Sequence, residues 1–110
     1  MCVSNTDDHL RNHGFMLTPS GWELSPAYDI NPIVHSYGLK LNVSEDDNAL
    51  DLDLARSVAP YFRLKMEVAE KIIAEIKAAV KPWQKLAVHV GISRSEIELK
   101  SNAFRFAENE

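Results

Sequence analysis

From Leu64 onward apolar residues recur every three or four positions. Leu64, Val68, Ala69, Ile72, Ile73, Ile76, Ala79, Val80, Trp83, Leu86, Ala87 and Val90 follow one another with Lys and Glu between them. That spacing is the period of one helix face, and a strand would need strict alternation instead. It commits a quarter of a 110-residue chain to helix and predicts that this stripe forms the core. Pro82 interrupts the run, so either a kink or a new helix beginning near Pro82 is expected. Gly91 stops it. Ser93-Arg94-Ser95-Glu96 is a capping box that opens a last helix through about Phe104, with Ile97 and Phe104 inward. The tail from Ala107 to Glu110 is expected to fray. Upstream, Asp51 or Asp53 can cap a short helix holding Leu54, Ala55, Val58 and Ala59, which Pro60 limits.

The first third of the chain reads differently. Phe15-Met16-Leu17 and Trp22-Glu23-Leu24 flank Thr18-Pro19-Ser20-Gly21, a turn sequence, which predicts a small hairpin ended by Ser25-Pro26. Two short strands are too little to stand alone, so the hairpin should lie on the helices, with its Trp22 face, Tyr61, Phe62 and Trp83 as packing partners. A second extended pair is expected from Leu39–Asn42 to Ala49–Leu50. The fold class is therefore mainly α with a small N-terminal β-hairpin. Residues 1–30 form a loop-and-hairpin region and 31–106 a helical subdomain, within one structural domain.

Sixteen acidic against twelve basic side chains leave a net charge of −4, which gives no field that would draw the surface to nucleic acid. Charge is uneven. Ser44–Asp53 carries five carboxylates and no cation, whereas Arg63–Lys100 has eight basic against five acidic residues. Both patterns read as solvated turn and helix surface. Cys2 is the only cysteine, so no intrachain disulfide forms and a cytoplasmic setting is expected. No basic segment and apolar run precede Cys2, which argues against a secretory or lipoprotein signal. The apolar runs are too short to span a bilayer, so no membrane partner is expected.

Candidate chemistry concentrates in one polar loop. Asp7, His9, Arg11 and Asn12 lie within six positions, and Asp29 follows after the hairpin. An Asp can accept the proton of an attacking hydroxyl, while Asn12 and Asp29 offer hard oxygens to magnesium, as phosphoryl transfer requires. Arg11 could neutralise phosphoryl charge, and His9 could brace the loop. On residues alone the plainer reading stays open, in which Asp7 and Asp8 cap a turn and Asn12 satisfies loop backbone. A transition-metal site from Asp7, Asp8, His9 and His13 is a third reading. His35 and His89 read as surface or packing residues, and Cys2 as an incidental thiol. No Gly-rich phosphate loop and no Val-Ala-x-Lys strand occurs in these residues.

Asn5-Thr6-Asp7-Asp8-His9-Leu10-Arg11-Asn12-His13, followed by Leu24-Ser25-Pro26-Ala27-Tyr28-Asp29-Ile30, resembles the C-terminal half of the HipA family of bacterial serine/threonine-protein kinase toxins. Its catalytic loop has the form Asp-x-His-x-Lys-Asn and its metal segment Pro-x-Tyr-Asp. The resemblance implies a fold like the helical lobe of a protein kinase. It makes Asp7 the catalytic Asp, His9 the loop His, Arg11 the loop cation, and Asn12 and Asp29 the magnesium ligands. Arg11 stands where the family has Lys, and its planar guanidinium does not reproduce an ammonium contact. The nucleotide-gripping lobe is not in this sequence. The expectation is thus a C-terminal kinase subdomain that transfers phosphate from ATP to a protein hydroxyl only within a complete protein. Neither magnesium nor ATP should bind this chain tightly by itself. Implied partners are the missing N-terminal lobe or a HipB-like DNA-binding antitoxin, and an apolar patch left exposed would favour self-association. The alternative function is a non-catalytic interaction domain for such an antitoxin.

Overall fold

The hairpin is where the turn chemistry puts it. In the computed structural model, which describes residues 1–35 and 38–109, β1 (Phe15–Thr18) pairs antiparallel with β2 (Gly21–Leu24). Thr18 Oγ1 donates to the Gly21 carbonyl at 3.1 Å and accepts from Ser20 N–H at 3.2 Å. Gly21 has φ +113°, which a residue with Cβ adopts only under strain. The register sets Phe15 opposite Leu24 and Leu17 opposite Trp22, so four large apolar side chains share one face. That face does not lie on the helices: Phe15, Leu17, Trp22 and Leu24 are all 62% exposed or more. The expected packing of the Trp22 face is therefore corrected, as is that of Tyr61 and Phe62, which are also exposed.

The expected second strand pair does not form. Leu39 N–H does reach the Asn48 carbonyl at 2.8 Å, and Asn48 Nδ2 returns to the Leu39 carbonyl at 2.8 Å. Between them the acidic turn satisfies its own backbone. Ser44 Oγ accepts from Asp47 N–H, and Asp47 Oδ1 accepts from Ala49 N–H. Short polar side chains that capture neighbouring N–H groups compete with a ladder, and here they win.

Helix α1 (Leu52–Val58) starts at Asp51, whose carboxylate accepts from Asp53 N–H at 2.8 Å. Pro60 then sits inside a 3₁₀ turn, Ala59–Phe62, and Arg63 at φ +57° turns the chain into α2 (Met66–Val80). Pro82 starts a new helix rather than kinking the old one, since it is the N-cap of α3 (Trp83–His89). Gly91, at φ +88°, ends α3 in a Schellman motif: Ile92 N–H bonds the Ala87 carbonyl and Gly91 N–H that of Val88, both at 3.0 Å. The Ser93–Glu96 capping box opens α4 (Arg94–Lys100). The last helix is broken, however. A 3₁₀ turn, Ser101–Phe104, separates α4 from α5 (Arg105–Glu108).

Through residue 109 the C-terminal segment is tied down rather than frayed; Glu110 lies outside the described residues. Ala107 is buried, Glu108 accepts from Trp83 Nε1 at 2.8 Å and from Gln84, and Lys77 donates to the Asn109 carbonyl. The Trp83 and Phe104 rings stack 4.0 Å apart with planes 8° from parallel. The core is built mainly from small residues where helices approach closely: Ala59, Ala69, Ala87, Ala103 and Ala107, with Val58 and Ile97. The long stripe enters the core only at its small residues, Ala69 and Ala87. Val68, Ile72, Ile76, Leu86 and Val90 are 43–63% exposed, because α1 and α5 cover the Ala69 side of α2 and leave the rest of the stripe open.

Candidate active-site loop

Residues 1–13 fold against the body by alternate burial. Cys2, Ser4 and Thr6 are buried, and Asp7 beyond them faces solvent. Ser4 takes φ +50°, an unusual value for a residue with Cβ, and its hydroxyl donates to the Ala103 carbonyl at 2.7 Å. A 3₁₀ turn, Leu10–Asn12, then swings Asn12 inward, where it is buried. Its amide is used at both ends. Oδ1 accepts from His9 N–H at 3.1 Å, and Nδ2 donates to Asp29 Oδ2 at 3.2 Å. The hairpin between them thus returns the chain so that residues seventeen positions apart meet.

Asp29 is held from several sides. It takes φ +55°, a strained conformation that marks a position fixed by its surroundings. Asn31 Nδ2 donates to Asp29 Oδ1 at 2.7 Å, and Asn31 N–H reaches Asn5 Oδ1 at 3.4 Å. Beside it the Tyr28 hydroxyl donates to the Arg11 carbonyl at 2.9 Å, a second tie between the two loops. Sequence reasoning gave no role to Ser4, Asn5 or Asn31, and treated Tyr28 only as a motif letter. The available signal was the density of Asn in Asn5, Asn12 and Asn31, a residue whose amide offers both donor and acceptor.

Asp7 makes no side-chain hydrogen bond or ion pair among the described residues, and the Arg11 guanidinium is likewise exposed and unpaired there. The structure thus brings Asn12 and Asp29 into contact and leaves Asp7 and Arg11 facing water. The His9 ring has Nδ1 buried and without a hydrogen-bond partner among the described residues, while His13 Nε2 lies 3.0 Å from Asp8 Oδ1. Among the described residues no three His, Cys, Asp or Glu side chains stand close enough to hold a metal ion, so the transition-metal reading gains nothing. The Asp29 carboxylate is a hard oxygen donor of the kind magnesium takes together with waters and phosphate oxygens. Asn12 turns Nδ2 toward that carboxylate, while its Oδ1, the atom a magnesium ion would need, is held by His9 N–H. A cleft of about 490 Å³ opens beside this pair, lined in part by Asn5, Asp8, Asn12, His13 and Tyr28. No helix among the described residues is long and apolar enough to cross a membrane.

Comparison with known proteins adds one match. The sequence profile of a family described as HipA-like C-terminal domain fits residues 1–83, which takes in both loops, the hairpin and α2. No curated protein and no solved structure matches.

Proposed function

The chain belongs to the family of HipA-like C-terminal domains, and on that footing we propose that it supplies the catalytic and metal loops of a serine/threonine protein kinase. The observation that supports this reading is the 3.2 Å hydrogen bond between Asn12 and Asp29, two loops held together while the nearby Asp7 is left unpaired. In a complete kinase Asp7 accepts the proton of the substrate hydroxyl as it attacks the γ-phosphoryl group of ATP. Asn12, once its Oδ1 is turned from His9 N–H, and the Asp29 carboxylate would hold magnesium, which would supply charge neutralisation on the phosphates. Arg11 places a permanent cation at the loop surface, where phosphoryl charge develops. His9 contributes its backbone N–H, which holds Asn12 Oδ1 until the amide turns to the metal. Catalysis of this type is positioning and electrostatics, so the loops act only together with a lobe that grips the nucleotide.

The test uses the complete reading frame that contains this chain, assayed for transfer of labelled phosphate from ATP to itself or to a generic protein acceptor. Asp7→Asn and Asp29→Ala should each abolish transfer; Asp7→Asn should do so without changing the thermal midpoint appreciably, since its side chain is exposed and makes no hydrogen bond among the described residues. Undiminished transfer by both variants would remove the kinase reading. In that case the exposed apolar hairpin face would favour the alternative, a non-catalytic domain that docks a helix-turn-helix antitoxin. A pulldown that survives the Asp7→Ala, Asp29→Ala double variant would support it.

A further inference from the structure

The family match ends at residue 83, yet groups beyond it also tie down both loops of the candidate site. The Ser4 hydroxyl, wholly buried, donates to the Ala103 carbonyl at 2.7 Å, and Arg105 Nη1 approaches the same hydroxyl at 3.4 Å. Arg105 is itself anchored by a 2.8 Å bond to the Asn102 carbonyl. These bonds seat the loop that carries Asn12. The segment just after Asp29 is gripped by the same turn. Asn102 Nδ2 donates to the Val34 carbonyl at 3.3 Å, and Lys100 Nζ to the Pro32 carbonyl at 3.1 Å. Between the two grips, Ile33 N–H bonds the Ser4 carbonyl at 3.2 Å, closing the arrangement.

We propose that residues 100–105 form a positioning bracket for the Asn12–Asp29 pair. The break that splits α4 from α5 is what permits it. A continuous helix would keep the carbonyls of residues 101–104 in its own ladder, whereas the 3₁₀ turn offers the Ala103 carbonyl to Ser4. Ser4 is the residue that couples the grips, since its hydroxyl meets the bracket and its carbonyl meets the Asp29 segment. Its strained φ is consistent with a conformation imposed by those partners. The bracket stands on the geometry alone; its relevance to chemistry rests on the metal-pair reading above.

The experiment is amide spectroscopy on the isotope-labelled chain with three variants. Asn102→Ala removes one grip from an exposed position, Ser4→Ala removes the buried one, and Val58→Ala lowers stability in α1 without touching either loop. In Asn102→Ala and Ser4→Ala the Asn12 side-chain amide resonance should move and the Ile33 N–H should exchange about ten-fold faster than in the parent, beyond any acceleration seen in Val58→Ala. A merely structural Ser4 would behave as Val58→Ala does. If Ser4→Ala does not fold, Asn102→Ala decides. An Asn102→Ala protein with the Asn12 resonance and Ile33 exchange of the parent overturns the bracket. Adding Mn²⁺ to the parent separates the two readings: Asn12 and Asp29 signals that fail to broaden count against the metal pair, and the bracket is then judged by the variants alone.

Discussion

Ile97 and Ile76 both fall on helical apolar positions, yet the structure gives them different costs. Ile97 in α4 is 9% exposed, and Ile76 in α2 is 50% exposed. Truncation to Ala removes three carbons, worth about 2.4 kcal/mol if they leave a fully buried site, at about 0.8 kcal/mol each. At Ile97 almost all of that is lost and a cavity remains, so Ile97→Ala should cost about 3 kcal/mol, within the ~2–5 kcal/mol seen for buried Ile. At Ile76 half the side chain already faces water, which also fills the space vacated, so Ile76→Ala should cost only about 1.2 kcal/mol. The difference of about 2 kcal/mol corresponds to about 8–16 °C in thermal midpoint for a domain of this size. Circular dichroism melts and urea titrations of both variants, side by side, measure it. Equal losses, or a larger loss at Ile76, would refute the small-residue core and restore the α2 stripe as the centre of the fold.

Acidification offers a second check. Hydrogen bonding to Arg56 holds the Glu70 carboxyl below its usual range, and the Ser93 hydroxyl and backbone N–H do the same for Glu96. Both folded values are depressed, so each contribution is present above the ordinary carboxylate range near ~4.3 and is lost as pH falls through the folded value. Glu70→Gln should therefore be less stable than the parent at neutral pH and converge with it in acid; parallel midpoint curves across the range would contradict this. Gly91→Ala should cost about 1–2 kcal/mol through backbone strain alone, because its φ is +88° and nothing lies within 4 Å of an added Cβ. Chemical denaturation reads that cost, and a neutral substitution would mean the Schellman motif does not hold. Finally, the exposed hairpin face predicts concentration-dependent association, to be measured by light scattering, and Trp22→Ser should reduce it. Unaltered association would place the contact elsewhere.

The features legible in the sequence are those whose chemistry closes within a few residues. The Asp51 cap, the Thr18–Gly21 turn, the Pro82 restart, the Gly91 stop and the Ser93–Glu96 box each depend on local dihedrals and near neighbours. Periodicity located α2 but not its covered side, because that depends on which elements arrive from elsewhere. Ala69 and Ala87 stood in the expected stripe and are buried, whereas Ala103 and Ala107 carry little apolar surface each, so a reading weighted by large side chains passed over them. In the site, the motif resemblance brought Asn12 and Asp29 together, as the structure does. It could not find Ser4, whose partners are 99 and 101 positions away, nor the 3₁₀ break that frees the Ala103 carbonyl.

The Ser4–Ala103 bond also sets an order of events at the ribosome. The polar loop is made before its acceptor, which follows ninety-nine positions later. At about 5–20 residues per second, about 5–20 s pass between synthesis of the two. The hairpin and α2 need only local partners and can form within that interval, since their elementary steps take microseconds. The Ser4 tether of the loop carrying Asp7 and Asn12 has no such option, because it must wait for the Ser101–Phe104 turn. A nascent chain can therefore form α2 and the hairpin before the Ser4–Ala103 bond closes.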